Sequence, residues 1–97
     1  MLKPFSLDLY SKIFKKNDKA IVLTPNELHI ATLFLKNPGK AFTRSELLDL
    51  VWGEGYNGDN KIVDVNIRRL RSKVEDNPSK PVYLETVWGT GYRWKTD

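Results

Sequence analysis

Two short segments, Thr24-Pro25-Asn26-Glu27 and Thr43-Arg44-Ser45-Glu46, constrain the fold of this chain more than any other feature. In each, a threonine hydroxyl stands where a helix begins. The glutamate three residues later can reach back to the threonine amide, so orphan N–H groups are satisfied reciprocally. Proline at the first helical position of the former has the φ a helix needs and lacks only a donor that would be unpaired there. Leu28, Ile30, Ala31, Phe34 and Leu35 then supply an apolar side until Asn37-Pro38-Gly39 stops the helix. Leu47, Leu48 and Val51 do the same after the second box, to about Trp52, before Gly53-Glu54-Gly55-Tyr56-Asn57-Gly58 forces a loop. Thr24 reads as a cap alone, whereas the amides near Thr43 suit either a cap or a bound phosphate.

A third helix is expected from a cap at Asp59 or Asn60 to about Glu75, where Asp76-Asn77-Pro78 ends it. At about 100° per residue, Val63, Ile67, Leu70 and Val74 fall in one stripe that should face the core. Lys61, Val65, Arg68, Arg69 and Ser72 cluster opposite, with Asn66 and Arg71 on the flanks. The exposed face is therefore cationic. Two capped helices around a short link, followed by this one, have the order of a helix-turn-helix.

The chain opens with the alternation Phe5, Leu7, Leu9, then Lys12-Ile13-Phe14-Lys15 and, past the Asn17-Asp18 turn, Lys19-Ala20-Ile21-Val22-Leu23. These read as three strands of a small antiparallel sheet. Near the end, Val82 to Val87 and Tyr92 to Lys95 flank Trp88-Gly89-Thr90-Gly91, a glycine-bearing turn between two strands. The fold class is therefore α+β: an N-terminal antiparallel sheet, three helices and a C-terminal β-hairpin wing, a single winged helix-turn-helix over residues 1–97 with its core at about 5–95.

At 97 residues the chain has room for one modest core. Its 16 Lys and Arg against 12 Asp and Glu give a net charge of +4, which favours a polyanion mainly because Arg68, Arg69, Arg71 and Lys73 crowd one segment. With no cysteine and one histidine, His29 inside the first helix, neither a metal site nor a nucleophile–base pair can be assembled, so no cofactor and no enzyme activity are expected. Gly89-Thr90-Gly91 joins strands and lacks the pattern of a phosphate loop. No cysteine and no long apolar stretch lead us to expect a cytoplasmic protein.

The major groove of B-DNA admits one helix, where arginine pairs with guanine, asparagine with adenine and an apolar group with the thymine methyl. Arg69, Asn66 and Val65 are accordingly the expected base readers. Lys61 and Arg68, nearer the edges, are expected to meet phosphates, as is Arg71. Lys73 reads as a solubilising charge, and Asp64 has the spacing to pair with Arg68.

The blocks LTPNELHIATLFLKNPGKAFTRSELLDLVWG, KIVDVNIRRLRSKVE and PVYLETVWGTGYRW resemble, in order and spacing, the DNA-binding effector domain of OmpR/PhoB-type response regulators across nearly all of the chain. The resemblance implies an N-terminal sheet of four strands, a third helix that recognises the major groove and a wing that reaches the minor groove. Carried across, the recognition positions fall on Lys61, Asn66, Arg68, Arg69 and Arg71. The wing positions fall on Thr86, Trp88 and Tyr92, with Thr86, Tyr92 and Trp52 approaching phosphates. Trp88 stands where many members carry arginine; packing within the hairpin is its expected role, with stacking on a sugar or donation to a phosphate as the other options. Asn66 stands where some members carry histidine, which leaves the target sequence open.

The same resemblance implies a two-component system, with a receiver domain ahead of this one in a full-length regulator, a monomeric isolated domain and head-to-tail pairing on direct repeats of double-stranded DNA. The chain is then either an excised effector domain or a solitary one. Loop 53–59 resembles the transactivation loop, which faces RNA polymerase in relatives; an ordinary connection is the alternative. The rival function is a winged helix used for docking proteins, against which the arginine cluster argues. Double-stranded RNA fits less well because its deep major groove excludes a helix.

Overall fold

The computed structural model describes residues 3–56 and 58–96; Asn57, within the expected 53–59 loop, lies outside the described residues. Strands β1 (Phe5–Asp8), β2 (Ile13–Lys16) and β3 (Lys19–Ala20) form an antiparallel sheet in that order. Phe5, Leu7 and Phe14 are turned inward as expected, whereas Leu9 lies past the end of β1 and is exposed, and Val22 lies past β3. The described sheet has three strands, not the four implied by the resemblance. Past Ala20 the pairing reduces to one bond from the Ile21 amide to the Phe14 carbonyl before the chain turns into the first helix.

Helix α1 (Pro25–Lys36) and helix α2 (Arg44–Trp52) both begin with complete capping boxes. Thr24 and Thr43 each accept from the glutamate amide, and the Glu27 and Glu46 carboxylates each accept from the threonine amide. Between the helices lies an element the sequence reading missed, strand β4 (Ala41–Thr43). It pairs with β6 (Gly91–Trp94), which also pairs with β5 (Leu84–Val87), so the wing hairpin belongs to a three-stranded sheet ordered β4-β6-β5. Gly91 is required there. A Cβ on it would lie 2.1 Å from the Phe42 carbonyl oxygen, closer than atoms approach.

Helix α3 (Lys61–Val74) packs on both other helices. Val63, Ile67, Leu70 and Val74 are buried as their spacing requires, together with Ile30, Ala31, Phe34, Leu47 and Leu84. Trp94 closes the core, with its ring centroid 5.1 Å from Phe5 and 6.3 Å from Phe34. The start of the wing is held by a carboxylate. Glu75, just past α3, accepts from the amides of Val82, Tyr83 and Leu84, and β5 begins at the last of these, two residues later than the expected Val82.

Candidate nucleic-acid interface

With its aliphatic stripe turned inward, α3 presents Lys61, Val65, Arg68, Arg69 and Ser72 outward, and all five are exposed. Asp59 holds the start of this face, accepting from the Lys61 amide at 3.0 Å, while Asn60 makes no side-chain cap. Asp64 does not neutralise Arg68. Its carboxylate takes a bidentate bond from Arg44 on α2, at 3.1 and 2.6 Å, and a third from the Tyr92 hydroxyl at 2.6 Å. Among the described residues, Lys61, Arg68 and Arg69 take part in no ion pair. Three cations thus stand unneutralised on a surface the width of one helix.

Asn66 is not on that surface. It is 6% exposed, and its side-chain amide donates to the Ile62 carbonyl one turn back, so the expected adenine contact is corrected to an internal bond. The narrow stripe understated the buried sector: Asn66 borders it, and packing on two helices covers the border as well.

Arg71 is also turned inward. Its Nε donates to the Leu84 carbonyl and its Nη2 to the Thr86 hydroxyl, both at 3.0 Å, and its guanidinium lies 5.5 Å from the centre of the Tyr92 ring. Burial lowers its pKa, opposed by Tyr92 and Glu75. The Tyr92 hydroxyl spends its one proton on Asp64, whereas the Thr86 hydroxyl, accepting from Arg71, keeps its own proton to donate. Burial, and then the bond to Asp64, push the Tyr92 hydroxyl up to about 12.

Trp88 stands at the hairpin tip with 90% of its surface in contact with solvent, so the expected packing role is overturned. It lines the rim of a cleft between the wing and the start of α2, together with Arg44, Asp64, Thr86 and Tyr92. Trp52 is half-buried against the core. The Thr43 hydroxyl is occupied as a cap. Lys73, read as a free charge, instead pairs with the buried Glu27. Sequence reasoning also passed over Arg44 and Glu75, whose partners lie on other elements. Among the described residues no cluster of His, Asp and Glu is arranged to hold a metal ion.

Three helices, a hairpin returning beside the third and a free cationic face on that helix define a winged helix-turn-helix domain. Residues 18–94 match the family described as transcriptional regulatory protein, C terminal. The chain is 41% identical over 88 residues to the uncharacterized transcriptional regulatory protein YcbL of Bacillus subtilis, covering 91% of this chain and 39% of that one. It superposes on the response regulator DrrB, an OmpR/PhoB homolog of Thermotoga maritima, with a TM-score of 0.87 at 32% identity, covering 95% of this chain and 42% of the other. The DNA-binding domain of Klebsiella pneumoniae RstA, solved in complex with the RstA box, matches with a TM-score of 0.88 at 25% identity, covering 98% and 94%. The chain belongs to the OmpR/PhoB family of response-regulator C-terminal DNA-binding domains. It spans about two fifths of the length of YcbL. No described helix is long and apolar enough to cross a membrane.

Proposed function

We propose that this domain binds double-stranded DNA in a sequence-dependent way, as the effector of a transcription regulator in a two-component system. The observation that carries the reading is the row of Lys61, Arg68 and Arg69, exposed and without carboxylate partners, on a helix whose other side is buried. Helix α3 enters the major groove. Arg69 offers two parallel donors to a guanine, Val65 contacts a thymine methyl, and Lys61 and Arg68 bind phosphates that set the register. The first-turn amides beside Thr43, at the positive end of α2, contact a further phosphate. Trp88 approaches the adjacent minor groove from the wing tip, while Asn66, Arg71, Thr86, Tyr92 and Trp52 support this surface from behind it.

Within a longer regulator, we propose that a receiver domain precedes this one and that two copies bind direct repeats head to tail. Loop 53–59 then faces RNA polymerase. The RstA and AdeR domains, each solved with DNA, support the duplex as partner through their similarity to this chain.

Selection of bound duplexes from a random pool tests the reading. An enriched motif, bound with an affinity that falls steeply with salt as phosphate counterions are released, is the expected result. A pool without enrichment overturns it and favours a winged helix that docks protein.

A further inference from the structure

Thr86 on β5 and Tyr92 on β6 are cross-strand partners, the two ends of one rung of the wing. Each end is gripped by a different residue of α3. Arg71 bonds Thr86, and Asp64 accepts from Tyr92. Asp64 and Arg71 are two helical turns apart and therefore lie on the same side of α3. The hairpin base is already held by β4 and by the buried Leu84 and Trp94, and two attachments separated along the helix axis fix the tilt of its outer part against α3. Asp64 is itself anchored by Arg44 at the start of α2, and Arg71 is further held by the Leu84 carbonyl, so both grips are braced. Just past this rung is Trp88, whose exposed indole has no support within the wing.

We propose that Asp64 and Arg71 are positioning residues that clamp the wing at the Thr86–Tyr92 rung, so that the Trp88 tip and the Arg69 face meet the duplex as one rigid reading head. The inference rests on the proposed DNA reading and adds what that reading lacks: a fixed spacing between the major-groove and minor-groove contacts. The Tyr92 hydroxyl, expected at a phosphate, is spent on this geometry. Preorganisation of this kind lowers the ordering cost of binding instead of adding a contact.

Two measurements on the intact chain test the clamp. Without DNA, residual dipolar couplings from α3 and from the β5–β6 hairpin should fit one alignment tensor in the parent, whereas in Tyr92→Phe, which removes only the hydroxyl, those of the tip at 87–91 should depart from it. With the selected duplex, Trp88→Ala should weaken binding by the parent severalfold. The same change in the Tyr92→Phe background should cost less by a factor on the order of five, the coupling expected of groups sharing one network. A lost structural contact alone would lower the melting temperature and leave the two substitutions additive. Thr86→Val, which cuts only the Arg71 Nη2 bond, repeats the cycle should Tyr92→Phe fail to fold. Additive effects, or two tensors in the parent, overturn the clamp while leaving DNA binding intact. A parent with one tensor that selects no duplex overturns the DNA reading, and with it the reading-head claim.

Discussion

Lys73, near the end of the proposed recognition helix, donates to the carboxylate of Glu27, which is 1% exposed at the start of α1. The same carboxylate accepts from the Thr24 amide, so one buried charge both caps α1 and ties it to α3. Burial raises the Glu27 pKa, but the Lys73 and Thr24 hydrogen bonds outweigh it and hold the group below its ordinary 4.5. A depressed carboxylate contributes stability above its unfolded pKa and loses it as pH falls through the folded one. Glu27→Gln should therefore cost about 1.5–3 kcal/mol at neutral pH, the range for hydrogen bonds to charged groups. Melting curves of parent and variant should converge below pH 4.5; a constant gap down to pH 3 would contradict the assignment.

At the alkaline end Tyr92 carries the corresponding signal. Its hydroxyl, pushed up to about 12 from 10.0, stays protonated well past the ordinary tyrosine value. With the folded pKa above the unfolded one, its contribution is present below pH 10 and is lost as pH rises toward 12. Ultraviolet difference titration should show one late-ionising tyrosine that is missing from Tyr92→Phe. Loss of stability between pH 10 and 12 should be steeper in the parent than in the variant. A signal lost in Tyr92→Phe that ionises near 10.0 in the parent would refute the burial and the Asp64 bond assigned to this hydroxyl.

Gly91 of β6 lies against β4, and Gly91→Ala would drive a methyl into the Phe42 carbonyl. Overpacking against backbone costs on the order of 1–3 kcal/mol or more. Faster amide exchange at Ala41–Thr43, with α1 unaffected, is the expected pattern, and protection as in the parent would count against the close approach.

Glu75→Ala strips the acceptor from the Val82, Tyr83 and Leu84 amides at once. Unsatisfied buried donors cost about 1–3 kcal/mol each, less where water can enter, so a loss on the order of 3 kcal/mol is expected in a denaturant titration. A loss below about 1 kcal/mol would mean that water replaces the carboxylate.

Local signals made much of this fold legible. Both helix starts followed from capping boxes whose partners are three residues apart, and the α3 register followed from Val63, Ile67, Leu70 and Val74. Relationships between distant segments stayed hidden. Ala41–Thr43 has too few residues to display alternation, and its partner strand lies at the other end of the chain. Arg71 and Tyr92 have the chemistry of phosphate ligands, and only the return of the hairpin beside α3 turns them toward Thr86 and Asp64. Asn66 sits at the border of a stripe, where periodicity alone does not decide burial. Trp88 shows the reverse: a residue type that usually packs is left outside because the tight turn at Gly89, with φ +80°, has no neighbouring element to cover it.

The base-reading role of Arg69 carries the account, and a comparison of selected motifs tests it most directly. Duplex pools selected by the parent, Arg69→Ala and Lys61→Ala should differ in one respect. Arg69→Ala loses preference at a single guanine position, by about 1–3 kcal/mol, whereas Lys61→Ala keeps the motif and binds every duplex more weakly. An unchanged motif from Arg69→Ala would contradict the account.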